Sequence, residues 1–425
     1  MSNEYKRFTI VGVDYIPKGW KLIKLKHICE IYTGNSLSDS LKVLYTDKED
    51  SYPYIATKDI DGQSKQINYE NGIYIKKNNS SFKIADADSV LMCIEGGSAG
   101  KKIAFTDRRI TFGNKLCCLK SKKFETKFVY YYLNSPAFNE EFKSNLSGLI
   151  SGVSIGVLKE MPCILPSKEE QKKIIDYLDK KIYQIDKIIS QTNNSIDEYK
   201  KYKQSIITEI LMNGLNRNVE KKDTGVGYIG DIPIHWTIRK IKYVLSPLQR
   251  DVQESDEIIT CFRDGEVTLR KNRRETGYTL SDTENGYQGV EIGDLVIHGM
   301  DAFAGAIGMS DSRGKCTPVV HVCDSKENKK FYMYFLRALA FNDVFMALSD
   351  GIRIRSSDFR NWDKLAEIYV VVPPINEQEK IANYIENKCI AIDNIIEQKQ
   401  KLLAEMEAYK KSLIYECVTG KREVK

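Results

Sequence analysis

The sequence predicts an α+β protein: two similar globular domains joined by two long antiparallel coiled-coil helices, an internal duplication of pseudo-twofold character. Three observations lead there. The stretch EEQKKIIDYL (Glu169 to Leu178) returns as NEQEKIANYI (Asn376 to Ile385). Each copy opens a helical segment with apolar residues spaced three and four apart and no Pro or Gly before Gly214 or Gly420. The residues upstream of each segment also recur in the same order.

The two helical segments match residue by residue. Glu170-Gln171 aligns with Glu377-Gln378 at an offset of 207, which also pairs Lys173-Ile174 with Lys380-Ile381, Tyr177 with Tyr384, Ile185-Asp186 with Ile392-Asp393 and Tyr202-Lys203 with Tyr409-Lys410. A match over about 45 residues is a duplicated segment, not shared composition. Pro166 and Pro373-Pro374 end the preceding strand, and Ser167 with Glu170 has the S-x-x-E spacing of a capping box. Asn376 with Glu379 offers the second helix a similar, shifted cap. The stripe from Ile175 and Leu178 through Ile182, Ile185, Ile189 and Ile196 to Ile210, and its counterpart from Ala382 and Ile385 to Leu413 and Cys417, holds for about five heptads. That is a coiled-coil seam. Two unrelated amphipathic helices, each lying on its own domain, are the alternative, and the shared seam favours helices packed on each other. Thr192, Lys203, Lys399 and Lys410 interrupt the seam, either setting its register or extending their polar ends to solvent.

The globular parts follow the same plan. IPKGWKLIKLKHI (Ile16 to Ile28) corresponds to IPIHWTIRKIKYV (Ile232 to Val244), and SVLMCIEGGSAGKKI (Ser89 to Ile103) to DLVIHGMDAFAGAIG (Asp294 to Gly308). Short β-like runs such as Leu91 to Ile94 and Leu295 to Ile297 precede helical runs at Lys127 to Phe142 and Lys330 to Phe345, which predicts a mostly antiparallel or mixed sheet. The expected boundaries are a first globular domain over 1–165, a long helix over 166–213, a linker over 214–230, a second globular domain over 231–373, and the second long helix with its tail over 374–425.

At 425 residues and 42% apolar, the chain can fill two or three cores. No run approaches the ~18 apolar residues of a bilayer span and MSNEYKRFTI lacks the apolar stretch of a secretion signal, so a cytoplasmic protein without membrane contact is expected. Ten cysteines without a CxxC pair, and four histidines never at ligand spacing, read as buried reduced thiols with no metal site. The net charge of +6 permits a nucleic-acid partner without requiring one.

Catalytic motifs are missing. EGGSAGKK (Glu95 to Lys102) has Glu95 at the first glycine position of a phosphate loop and Lys102 where the magnesium-binding hydroxyl belongs, so it reads as a tight turn. The E-x-K triplets beginning at Glu170, Glu327 and Glu386 are ordinary solvated residues, two of them on the long helices. There is no nucleophile elbow, zinc-protease helix, dinucleotide fingerprint or N-P-P-Y tetrapeptide. A non-catalytic chain without a cofactor of its own is expected.

What remains is a set of basic and polar loops. The candidate DNA contacts are Thr57, Lys58, Ser98, Lys101, Lys102, Asn114 and Lys115 in the first domain, and Arg263, Arg270, Arg273, Arg274, Arg353 and Arg355 in the second. The arginine forks suit guanine edges and phosphates. Any one of these residues can be plain solvated surface; clustered at equivalent places in a duplicated module, they lean toward DNA.

Together these features resemble the specificity subunit of type I restriction-modification systems. The resemblance spans the chain and rests on LPSKEEQKKI (Leu165 to Ile174), VPPINEQEKI (Val372 to Ile381), the helix after each, the entries Pro17 to Trp20 and Pro233 to Trp236, and the duplicated order. Ser167 departs from the usual second proline. The resemblance implies that each globular part is a target-recognition domain reading half of a split, asymmetric site on double-stranded DNA. It implies that the helices space the readers and dock two methyltransferase subunits carrying S-adenosylmethionine for adenine N6 methylation, and that restriction subunits using ATP and magnesium complete the complex. A helix pair of about 40 residues extends roughly 60 Å, against about 34–36 Å per DNA turn. Glu170, Gln171, Glu377 and Gln378 then either face a partner or cap and orient the helix starts. A non-catalytic protein-binding adapter is the rival reading; a fused methyltransferase-endonuclease is disfavoured by the missing motifs.

Overall fold

The computed structural model describes residues 5–10, 13–146, 152–273, 285–348 and 359–424. Two compact units partition the chain: Met1–Thr192 with Lys401–Lys425, and Asn193–Gln400. Each unit therefore holds one globular domain, the first part of the long helix that follows it, and the last part of the other long helix.

The first unit is built on a four-stranded antiparallel sheet in the spatial order Cys29–Thr33, Leu116–Ser121, Ser89–Cys93, Ile103–Thr106. Helix α1 (Thr126–Leu133) and helix α2 (Pro136–Ser144) cover one face, burying Phe128, Tyr132, Phe138 and Phe142 against Val90, Met92 and Leu119. α2 starts where it does because Pro136 fits the first helical turn and the Ser135 hydroxyl accepts from the Phe138 N–H. A smaller mixed sheet carries Ser51–Ile55 parallel to Ile110–Phe112 and supports the loops described below.

The second unit repeats the larger sheet in the same first-last-second-third order: Ser246–Pro247, Val320–Asp324, Leu295–His298, Ile307–Met309. Helix α4 (Lys329–Phe341) takes the place of α1, capped by the Asn328 side chain on the Phe331 N–H. The long helices are α3 (Lys168–Asn213) and α5 (Ile375–Val418), 46 and 44 residues. They end at Gly214 and Gly420, with φ of +73° and +75°, the left-handed turn that closes a helix.

Within each unit the two long helices run antiparallel. In the first, Asp186 meets Lys410 and Tyr177 meets Arg422; in the second, Asp393 meets Lys203 and Tyr199 lies under Lys399. The lysines that interrupt the seam thus reach carboxylates or a ring on the opposite helix. The seam itself is buried at Leu178, Ile185, Leu413 and Cys417 in one core and at Ile210, Ala382 and Ile385 in the other.

The expected cap on the second helix is corrected. α5 begins at Ile375, so Asn376 sits inside the first turn, and Pro374 occupies the place of Ser167. All ten cysteines are unpaired and nine are buried, and burial pushes the Cys29 and Cys316 thiols up to about 12. Among the described residues no helix is long and apolar enough to cross a membrane, and no side-chain group could hold a metal ion.

Candidate nucleic-acid interface and its mounting

The two sequence motifs of each module meet. Strand Lys21–Lys24, just after the Trp20 entry, pairs antiparallel with Pro162–Leu165, just before α3; Thr237–Lys240 pairs likewise with Tyr369–Val372 before α5. That pairing brings the Trp20 indole N–H 3.1 Å from Glu170 Oε1 and the Trp236 indole N–H 2.9 Å from Glu377 Oε2. Gly420 also packs on Trp20 and Gly214 on Trp236, leaving little room for a Cβ.

The second oxygen of each glutamate is used differently. Glu170 Oε2 accepts from the Ser167 N–H and hydroxyl at 2.9 and 2.6 Å, completing a capping box. Burial works against this carboxylate, but the Ser167 and Trp20 hydrogen bonds outweigh it and hold the group below its ordinary value. Pro374 has neither N–H nor hydroxyl, and Glu377 Oε1 instead lies 2.8 Å from His235 Nε2. His235 stands where the first copy has Gly19.

Both glutamines are fully buried. Gln171 accepts from the Glu125 N–H at the start of α1 and donates to the Pro166 carbonyl, each at 3.0 Å. Gln378 accepts from the Asn328 N–H at the start of α4 and donates to Pro373 and Glu327. Ion pairs Lys127–Asp179 (2.6 Å) and Lys330–Glu386 (2.9 Å) repeat the tie one turn or more farther along. The geometry is that of orienting residues. The amides of Gln171 and Gln378 are buried, and their hydrogen bonds lie within the chain.

All seven first-domain candidates gather on one edge of the sheets. Thr57 opens a 3-10 turn held by Asp59 on the Ala56 N–H, and Lys102 Nζ donates to the Thr57 carbonyl at 2.9 Å. The Gly113 N–H bonds Ile55, and Ile94 bonds the Lys115 carbonyl, so the loops of Asn114-Lys115 and Ser98-Lys102 flank Thr57. Lys58, Lys101, Asn114 and Lys115 are exposed. EGGSAGKK is a turn: Ala99 bonds back to Gly96, and a Cβ on Gly100 would fall 2.6 Å from the Phe142 ring.

In the second domain the described arginines already have partners. Arg263 pairs with Asp301 at 2.9 Å, and Arg273 with Asp264 and Glu266 at 2.8 Å each while lying over the Phe262 ring. Arg270 Nε donates to the Thr260 hydroxyl. For Arg273 the cause is the tight hairpin around Gly265, φ +92°, whose flanking acids are delivered beside it. Arg274, Arg353 and Arg355 lie outside the described residues. Sequence reasoning missed Arg337, half-buried on α4, whose guanidinium fills the space where a Gly265 side chain would be; burial lowers its pKa. No local pattern connects those two positions. It also passed over Lys65, eight residues after Thr57.

Comparison with known proteins follows the same lines. Residues 17–198 match the family model of the type I restriction modification DNA specificity domain. The chain is 23% identical to the type I restriction enzyme MjaVIII specificity subunit of Methanocaldococcus jannaschii, covering 96% of this chain and 94% of that protein. It is 19% identical to the type I restriction enzyme StySPI specificity subunit of Salmonella potsdam, over 95% and 89%. Among solved structures, a chain from work on complex assembly and conformational transition of the type I R-M system superposes with a TM-score of 0.71, at 14% identity over 96% and 99% of the two chains. The HsdS subunit from Thermoanaerobacter tengcongensis gives 0.53 at 15% identity, over 97% and 99%. At such identities the structural likeness speaks for the fold.

Proposed function

We propose that the chain is a specificity subunit of a type I restriction-modification system and the DNA-reading component of such a complex; the family-model match and the similarity to specificity subunits along nearly the whole chain support this. Each globular domain reads one half of a bipartite, asymmetric site on double-stranded DNA. The long helices set the spacing of the halves and dock two methyltransferase subunits. Methyl transfer with S-adenosylmethionine, and ATP- and magnesium-dependent cleavage on restriction subunits, are the work of the partners. This chain is non-catalytic.

The observation that carries the reading is the doubled mounting: Trp20–Glu170 with Gln171, and Trp236–Glu377 with Gln378, fix each domain to the start of its own helix in the same way. A reader fixed to a stiff helix cannot change its setting without breaking buried hydrogen bonds. Phosphate contacts from Lys58, Lys101 and Lys115 would position the first domain, with few loop residues left to read base edges. In the second, phosphates would compete with Asp264, Glu266 and Asp301 for the arginines. Exposed apolar residues at equivalent helix positions, Tyr183 with Ile390 and Tyr202 with Tyr409, supply two like surfaces for two copies of one partner.

The test is N6-methyladenine mapping in a host genome with and without this gene, the methyltransferase subunit being present in both. A split motif that appears only with the gene supports the reading and yields both half-sites. No new motif, with the complex shown to assemble, favours a protein-binding adapter.

A further inference from the structure

The duplication has produced one cleft twice, with different charge. In the first unit it lies between α1 and the long helices at Ile182, Asp186, Lys410 and Ile414, with a volume of about 600 Å³. In the second it lies between α4 and Cys389, Asp393, Lys203 and Ile207, about 690 Å³. The offset of 207 maps each of these four residues onto its counterpart. Yet five lysines line the first cleft against two carboxylates, whereas three basic residues line the second against four. Where the first has the loop 62–65 and Lys411, the second has Asp264 to Glu266 and Gln204.

Lys65 shows what the first cleft lacks. It adopts a left-handed backbone, φ +62°, which a side chain disfavours, and it is half-buried. Its ammonium donates to the Lys101 carbonyl at 2.6 Å. Burial first, then the nearby Lys410 and Lys411, lower its pKa; Asp61 and Glu407 oppose that shift without cancelling it. Of the nearby carboxylates, Asp186 accepts from Lys410 and Asp61 accepts from Gln63 and Ser64, which leaves Glu407 as the one cleft carboxylate set against Lys65, Lys411 and the other lysines of the lining. A cation held at a strained position beside other cations is arranged for an anion that comes from outside. Lys101 lines this cleft, and the adjacent Lys102 is tied to Thr57, so the cleft continues the loop edge that carries the DNA candidates.

We propose that Lys65 and Lys411 form a phosphate-binding station in the first unit that grips the DNA backbone beside the first half-site, and that the equivalent cleft of the second unit has no such station. This rests on the DNA-reading function above and adds a sequence-independent, one-sided contact to it. Electrostatic contacts of this kind release counterions, so they register in the salt dependence of binding and not in base preference.

The experiment uses the chain assembled with its methyltransferase subunits and a fluorescein-labelled duplex spanning the mapped motif, with anisotropy followed between about 50 and 200 mM salt. Replacing both residues (Lys65→Ala with Lys411→Ala) should lower the slope of log affinity against log salt by about 1.8, about 0.9 per phosphate. The preference for the cognate duplex should stay unchanged, Lys65→Arg with Lys411→Arg should keep the slope, and Lys200→Ala in the second cleft should leave it alone. An unchanged slope in a double-alanine complex that still binds DNA overturns the proposal. Loss of methyltransferase assembly in that variant also overturns it, assigning the cleft to an acidic segment of a protein partner. A wild-type complex that binds no DNA takes down the reading function itself, a failure distinct from both.

Discussion

Lys203 Nζ lies 2.6 Å from Asp393 Oδ2 on the opposite long helix, and the duplicate of this pair, Lys410 with Asp186, forms in the other unit. The offset that relates the two copies carries each lysine onto the other lysine and each aspartate onto the other aspartate. A lysine in an apolar seam is tolerated because its stem packs along the helix while its charged end reaches a carboxylate at the margin.

Exchanging the charges tests this pairing. Lys203→Asp alone places two carboxylates together and should destabilise the second unit, while adding Asp393→Lys should restore about 0.5–1 kcal/mol, the range for a partly exposed pair. Urea denaturation of the four-member cycle reads the coupling; zero coupling would mean that the lysine stem alone matters.

Gln171→Ala should cost about 1–3 kcal/mol, because it leaves the Glu125 N–H and the Pro166 carbonyl without their partner in a buried site. Gln378→Ala should cost a similar amount in the second unit. Co-purification of the methyltransferase subunit should be unaffected in both variants. A stable variant that fails to assemble would make these glutamines partner contacts.

Acid should reveal another duplicated tie. Glu160 sits between Lys24 and Lys26, and Glu367 between Lys240 and Lys242; these hydrogen-bonded lysines lower each carboxyl to about 2 from 4.5. A folded-state pKa below the unfolded one stabilises the fold above about pH 4.5, and that contribution is lost as pH falls toward 2. The melting temperature of Glu160→Gln with Glu367→Gln should therefore fall below wild type at pH 7, with the gap closing between 4.5 and 2 and narrowing in high salt. A gap that persisted at pH 2 would point to packing instead of charge.

Releasing Arg273 should strengthen non-specific DNA binding. Asp264→Asn with Glu266→Gln removes both of its carboxylate partners and frees the fork for one phosphate, steepening the salt slope by about 0.9. A flatter slope would show that the acids hold the hairpin in its binding shape.

Partner docking should depend on the exposed face of the long helices. Tyr202→Ser with Tyr409→Ser removes exposed rings, 52% and 43% accessible, and should weaken methyltransferase capture at least several-fold without changing the melting temperature. Retained capture would move the docking surface elsewhere on the chain.

Much of this molecule was legible along the chain. The duplication is read by comparing the chain with itself, and the two long helices, the start of the first at Ser167 and their ends at Gly214 and Gly420 are local signals: periodicity, a capping spacing and helix breakers. The seam broken by Lys203 and Lys410 was also readable. What needed the tertiary structure was every relation between distant segments. The pairing of Lys21–Lys24 with Pro162–Leu165 places the Trp20 indole on Glu170, and nothing near either residue announces the other. Burial of Gln171 and Gln378, and the N–H groups of Glu125 and Asn328 that they accept from, are likewise set by distant segments. The hairpin at Gly265 placed two acids on Arg273, which composition alone had offered to DNA. Helix and turn propensities are properties of a few neighbouring residues, whereas burial, ion pairing and the charge of a cleft depend on which surfaces the folded chain brings together.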